Sequence, residues 1–127
     1  RGKVIYFDFW ARWCPPCLAE MEPLKQLRSK FSTNDLIIYS ICVSEPKEQW
    51  EECLNEYSLK NRGIECVHVT DYLGIDNYQK IRKQWKIDRM PYYILINRKG
   101  QIIDFGTTAR PSNPQLVSRI EDAVNSK

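Results

Sequence analysis

Apolar runs at strand spacing alternate with segments at helix spacing through most of this chain, and the alternation ends in two strands in succession. Val4–Phe9 reads as a first strand. From Pro16 to Phe31 the apolar residues Met21, Leu24, Leu27 and Phe31 recur at helical intervals, with a kink expected at Pro23. Leu36–Val43 is almost unbroken in apolar character, as in a strand buried on both faces. Ser44-Glu45-Pro46 signals a helix start, and Trp50, Cys53, Leu54 and Tyr57 follow on one stripe. Ile64–Val69 is a third strand. Asp76 is placed to cap a helix carrying Tyr78, Ile81 and Trp85. Tyr92–Asn97 and Gln101–Phe105 flank a turn at Arg98-Lys99-Gly100, and Asn113-Pro114 opens a last helix with Leu116, Ile120 and Val124 on one side. The order βαβαβαββα predicts an α/β domain, a mixed sheet with helices on both faces. A length of 127 residues fits a single domain, 1–127, large enough to bury a real core.

Where the first strand should turn into the first helix stands Trp10-Ala11-Arg12-Trp13-Cys14-Pro15-Pro16-Cys17. Two cysteines at this spacing can close into a small disulfide. A thiol at a helix N-terminus feels the positive end of the helix dipole and free N–H groups, which favour thiolate over thiol. Thiolate is the species that attacks disulfides. Cys14 precedes the helix, so its sulfur is expected to stay exposed and to act as nucleophile. Cys17, one turn in, is expected to be the more buried, resolving thiol. The pattern predicts a redox-active Cys14–Cys17 disulfide and thiol–disulfide exchange without an added cofactor. A structural zinc site would need a second ligand pair, but Cys42, Cys53 and Cys66 are scattered and His68 is the single histidine, so no metal is expected. As an inert staple the pair would constrain little of the unfolded chain, because the loop it closes is so short. Cys42 in its strand and Cys53 on its helix stripe read as small buried hydrophobes. Cys53, in the middle of a helix, and Cys66, at the start of the following strand, are placed where contact is possible, and free thiols are expected there. His68 reads as structural.

The segment Phe7-Asp8-Phe9-Trp10-Ala11-Arg12-Trp13-Cys14-Pro15-Pro16-Cys17 resembles the active-site stretch of the thioredoxin superfamily. A second block, Trp85-Lys86-Ile87-Asp88-Arg89-Met90-Pro91 followed by Tyr92–Asn97 and Gln101-Ile102-Ile103, resembles that superfamily's cis-proline loop and final hairpin. The blocks stand in the right order about seventy residues apart, and the resemblance covers essentially the whole chain. Cys17-Leu18-Ala19-Glu20-Met21 is most similar to TlpA/ResA-type bacterial thiol–disulfide oxidoreductases. The resemblance implies a thioredoxin-like three-layer α/β/α sandwich with a mixed central sheet. Departures are Pro23 one residue later than the usual helix proline, Asp at position 8 where many TlpA-type members have Asn, and Tyr92 where Thr usually follows the loop proline. Pro15-Pro16 is also similar to cytosolic tryparedoxins and nucleoredoxins.

By the same resemblance, Asp8 is a buried acid that exchanges a proton with the resolving cysteine. Strand alternation alone leaves open whether Asp8 faces inward or outward. If buried, its pKa should rise toward working pH. Pro91 is implied to be a cis-proline facing the disulfide, with Met90 offering its backbone N–H and C=O to an extended partner segment. Trp13 is a flat apolar contact for substrate, and Arg12 and Arg89 border the site. Glu20 and Glu22 sit early in the helix, where the dipole tolerates acids, and are assigned no catalysis. Neither Pro15 nor Pro16 has an N–H, so donors near the first sulfur are depleted, and Pro16 is expected to push Pro15 toward extended backbone and delay the helix.

A net charge of +3 with lysines and arginines interleaved among acids gives no footprint for nucleic acid. No apolar run approaches the length of a membrane helix. The expected function is reduction of protein disulfides through the Cys14–Cys17 dithiol and a mixed disulfide, with disulfide-containing proteins as substrates and a dithiol as electron donor. An oxidase with the same residues, or a cytosolic dithiol carrier, is the alternative. The family resemblance implies a bacterial, extracytoplasmic or periplasmic setting, with a membrane tether outside this chain in a longer protein; the carrier alternative would be cytoplasmic.

Overall fold

The central strand of the sheet, β1 (Val4–Trp10), is hydrogen-bonded along both edges. It runs parallel to β2 (Leu36–Cys42) on one side and antiparallel to β4 (Tyr92–Ile96) on the other. In this computed structural model, which describes residues 2–43, 47–69, 74–84 and 89–126, the five strands take the order β3-β2-β1-β4-β5. Strand β3 is Ile64–His68 and β5 is Ile102–Gly106. Parallel pairing on one half and antiparallel on the other is the mixed sheet expected. The helices are α1 (Pro15–Ala19), α2 (Met21–Lys30), α3 (Lys47–Glu56), α4 (Gly74–Gln84) and α5 (Pro114–Asn125). The helix start read at Ser44-Glu45-Pro46 lies outside the described residues, as do Trp85 and the side chains of Tyr78 and Ile81.

Two cores follow from strand alternation. On one face Val4, Tyr6 and Trp10 of β1 join Ile38 and Cys42 of β2 and Tyr93 and Leu95 of β4. They pack with Cys17 of α1, Met21, Leu24 and Leu27 of α2, Cys53 and Leu54 of α3, and Leu116 and Ile120 of α5. On the other face Phe9, Ile41, Val69, Tyr92 and Ile94 form a smaller cluster. Position 8 falls between Tyr6 and Trp10 and belongs to the larger core. Helix α5 begins as its sequence directs: the Asn113 side chain accepts from the Gln115 N–H and Pro114 occupies the first turn.

The first helix differs from expectation in three ways. It begins at Pro15, not later, with both prolines in its first turn. Proline is suited to this place, because its φ is preset for helix and its missing N–H would have no intrahelical acceptor. The kink expected at Pro23 is a complete break at Glu20, which has φ −90° and ψ 1° and separates α1 from α2. The Pro23 ring cannot share a regular turn with the carbonyl four residues earlier, at Ala19. The chain therefore ends one helix there and starts another. The third difference is that the apolar stripe ends at Leu27, whereas Phe31 lies past the helix in extended backbone.

Arg28, on α2, is a buried polar anchor that periodicity did not identify. It is 5% exposed, and its guanidinium donates to the carbonyls of Leu36 (2.7 Å), Phe31 (2.9 Å) and Gly63 (3.4 Å). These bonds fasten α2 to the starts of β2 and β3. Gly63 permits the approach: its φ is +79°, and an added Cβ would stand 3.1 Å from Thr33 Cγ2 and 3.6 Å from Arg28 Cδ. Replacing Arg28 with Met should therefore destabilise the domain by about 2–3 kcal/mol in urea unfolding, since the carbonyls lose a charged donor. Lys should restore less than half, because an ammonium lacks the planar fork. Wild-type stability for either variant would contradict the anchoring role.

Candidate active site

Cys14 is the N-cap of α1, at φ −111° and ψ 96°, and Cys17 lies in its first turn. The two are joined as a disulfide with Cα atoms 5.3 Å apart. The cap forms because Cys14 leaves β1 through a tight turn, its N–H donating to Ala11 O at 3.1 Å, while its own carbonyl accepts from Leu18 N at 3.2 Å. Pro15 and Pro16 have no N–H to offer. The first backbone donor of the helix is therefore Cys17, and it donates to Cys14 Sγ at 3.2 Å. The expectation of an exposed Cys14 beside a buried Cys17 is corrected: they are 4% and 2% exposed. In the disulfide the cap bond draws Cys14 against the helix start, and both sulfur-bearing residues join the larger core.

Asp8 is inward. It is 4% exposed, and its Cα is paired with Tyr93 across β4 and with Ser40 across β2. Ser40 is paired in turn with Cys66. A transverse row of polar residues, Tyr93–Asp8–Ser40–Cys66, thus crosses a face that is otherwise apolar. Burial, and secondarily the negative charge of Glu20, push the Asp8 carboxyl up to about 8. It therefore sits near the pH at which a carboxyl can take and return a proton. Trp10 Nε1 donates to Ser40 Oγ at 2.8 Å, and the Tyr6 hydroxyl donates to Ala109 O at 2.6 Å.

Glu20 was assigned no catalytic part, yet it is tied to this site. It occupies the break between α1 and α2, and its carboxylate accepts from Ser112 N at 3.0 Å and Ser112 Oγ at 2.7 Å. Those bonds hold its charge where it bears on Asp8. The available signal was an acid three residues beyond Cys17 and three before a helix proline.

The Met90–Pro91 bond is cis. Pro91 is buried, and Met90, half-buried, packs against both cores, including the one that holds Cys14 and Cys17. Tyr92 is buried in the smaller core. Trp13 is 69% exposed beside the disulfide. With Arg12, Leu18, Gln49, Glu56 and Tyr57 it lines a cleft of about 290 Å³ on the α3 side. Cys53 lines the same cleft, and the Arg12 guanidinium there partly offsets the effect of burial on its thiol. Arg89 is exposed.

Cys42, Cys53 and Cys66 are free thiols. Burial raises the pKa of Cys53 and pushes that of Cys66 up to about 11. The Cys66 thiol points to the carbonyls of Ile64 and Leu59, at 3.7 and 3.8 Å. His68 is 1% exposed, and its ring meets the Trp50 ring edge-on at 5.4 Å, a packed position.

Known proteins agree with this geometry. The chain is 26% identical to the thiol-disulfide oxidoreductase ResA of Bacillus thuringiensis over 82% of its own length and 54% of ResA. It thus spans about half the length of the curated relatives it matches. Among solved structures, a Bacteroides vulgatus protein assigned as a thiol-disulfide oxidoreductase is 33% identical, with a TM-score of 0.74 over 96% of this chain and 74% of that one. A thiol:disulfide interchange protein from Bacteroides sp. superimposes with a TM-score of 0.78 at 22% identity, over 98% of this chain and 75% of that one, and shows the shared fold. The model of the Redoxin family matches residues 1–124, and the chain accordingly belongs to that family, as a ResA-like thiol-disulfide oxidoreductase domain.

Proposed function

We propose that the domain is the catalytic part of a longer, extracytoplasmic bacterial reductase, which passes electrons from a dithiol donor to disulfides in other proteins. The observation that carries the direction is the sparse donor set at Cys14. Where several N–H groups stabilise the first thiolate, the reduced form is favoured and the protein oxidises its partners. Here Pro15 and Pro16 fill the first turn and Cys17 N supplies the bond to Sγ. The disulfide form gains by comparison, and the dithiol becomes the better electron donor.

In this mechanism the Cys14 thiolate attacks one sulfur of a substrate disulfide. A mixed disulfide forms and the substrate's other sulfur leaves as thiolate. Asp8 takes the proton from Cys17, whose thiolate attacks Cys14 Sγ. The Cys14–Cys17 disulfide closes and the second substrate sulfur leaves with its bonding electrons. Reduction by the donor reverses these steps, with protonated Asp8 returning its proton to departing Cys17. The Met90 backbone, next to the cis peptide, would pair with an extended substrate segment. The exposed face of Trp13 would pack on it, and the neighbouring cleft would take a side chain. The ResA likeness supports action outside the cytoplasm. No helix among the described residues is long and apolar enough to cross a membrane, so in this reading a tether belongs to sequence outside the chain.

The potential tests the direction. Equilibration of the domain against a dithiol buffer should give a value nearer about −270 mV, the thioredoxin level, than about −120 mV, the DsbA level. A value above about −180 mV would make the domain an oxidase.

Asp8→Asn separates catalysis from folding. An acid with a raised folded-state pKa binds its proton more tightly in the folded chain than in the unfolded one. Stability is then lost as pH rises from the ordinary value of 3.8 to about 8. The variant should be more stable than the parent at pH 8 by an amount on the order of a few kcal/mol. The gain should vanish below pH 4, and turnover near neutrality should slow. Parent-like rates across the whole pH range would remove Asp8 from proton transfer.

Location and nucleophile share one experiment. A membrane-impermeant maleimide applied to intact producing cells should label the reduced protein, and the adduct should map to Cys14. No labelling without lysis would place the domain inside, and an adduct on Cys17 would exchange the two thiol roles.

A further inference from the structure

Tyr6 and Tyr93 lie side by side in the larger core, their rings parallel within 4° and their centroids 5.8 Å apart. Each is fully buried. Their hydroxyls have different surroundings. The Tyr6 hydroxyl is fixed to the Ala109 carbonyl at 2.6 Å, whereas the Tyr93 hydroxyl is buried and finds no hydrogen-bond partner among the described residues. A buried polar group in that condition is costly and calls for an explanation. Register supplies one. Tyr93 is the Cα partner of Asp8 across β1 and β4, and directly opposed residues of an antiparallel pair share a face, with Cβ atoms about 4.5–5.5 Å apart.

We propose that the Tyr93 hydroxyl is a donor held for the ionised form of Asp8: without a partner while the carboxyl carries its proton, and donating to the carboxylate once that proton has gone to Cys17. The bond passes through one bridging water, which presents the same donor, since no acceptor among the described residues stands within hydrogen-bond reach of the Tyr93 hydroxyl. The only covalent bond changes are the O–H broken at Asp8 and the S–H formed at Cys17; the hydroxyl reorients about its C–O bond. Tyr93 keeps its proton throughout, because burial and the nearby carboxylates hold its pKa far above the ordinary phenol value. The titratable groups that act on this pair are Tyr6 from β1, Cys66 from β3, Glu20 from the α1–α2 break and Arg110 from the segment before α5, with Asp104 of β5 acting on Tyr6. Glu20 opposes ionisation of Asp8, and Tyr93 supports it. In this role Tyr93 is a positioning residue that acts through Asp8.

The inference rests on the proton-transfer reading of Asp8 for its effect on rate, but not for its effect on titration. Tyr93→Phe keeps the ring and the stack and removes only the hydroxyl. In protein labelled with ¹³C at aspartate carboxyls, the Asp8 resonance, assigned by its loss in Asp8→Asn, should titrate about one pH unit higher in Tyr93→Phe. The resolving step should slow roughly tenfold at pH 7, the fold-change that one unit represents, and recover above pH 10. A site-specific 3-fluorotyrosine at position 93, a stronger donor, should shift the titration the other way; it also decides the matter should Tyr93→Phe not fold. An Asp8 titration unmoved by the fluorinated side chain, or by Tyr93→Phe in a folded protein, overturns the proposal. A shifted titration with an unshifted rate profile upholds the Tyr93–Asp8 link and instead removes Asp8 from the chemistry.

Discussion

A carboxyl group buried on the inner face of a central strand, as Asp8 is, is cut off from the bulk water that would solvate its charge. Much of this molecule is arranged around that condition at Asp8. The residue cannot turn outward without moving Tyr6 and Trp10 with it, because a one-residue change of register carries a whole strand to the opposite face. Among the described residues no cation offsets it: the charge that bears on it is Glu20, which is also negative. The result is a group kept protonated near neutral pH by its position, in the strand that leads into the Cys14–Cys17 disulfide. Stability is given up at that position. The deep apolar packing of Trp10, Leu24, Ile38 and Leu116 around it maintains the fold nonetheless.

Three prolines shape the approach to this site. Pro15 and Pro16 begin the helix and withhold two N–H groups from the first sulfur. Pro23 ends the same helix early and sets the break at which Glu20 stands. Because Ser112 fixes Glu20 from the segment preceding α5, the C-terminal part of the chain also contributes to the electrostatics around Asp8. Cys14 and Glu20 thus stand at the two ends of one short helix of five residues.

Much of this was legible in the sequence. The strands announced themselves by apolar runs, and observed boundaries differ from the predicted ones by a residue. Cys14, Cys17 and Pro91 stood in motifs with local spacing. Asp8 was identified by resemblance, while its direction was not, because Tyr6, Asp8 and Trp10 alternate equally well whichever face is buried. Arg28 escaped notice because an arginine on an amphipathic helix looks like surface until the carbonyls of Leu36 and Gly63 are brought to it by strand pairing. Glu20 looked like an ordinary acid near a helix start. Its significance depends on the break, and the break depends on a steric conflict between Pro23 and a carbonyl four residues back. Tyr93 was invisible for a related reason: its importance lies in a cross-strand register that no local pattern encodes.

The three cysteines outside the disulfide have a consequence for a protein that works by disulfide exchange. Such a protein carries its own potential poisons, since any reactive thiol nearby could capture the mixed disulfide or scramble the pair. Cys66, with its pKa pushed up to about 11, is thiolate to only about one part in ten thousand at pH 7. Cys53 is buried and shifted in the same direction, and Cys42 is fully enclosed in β2. Of the five cysteines, those outside the disulfide are either raised in pKa, as at Cys53 and Cys66, or fully enclosed, as at Cys42, so chemoselectivity is a property of the folded state, and one that unfolding would erase.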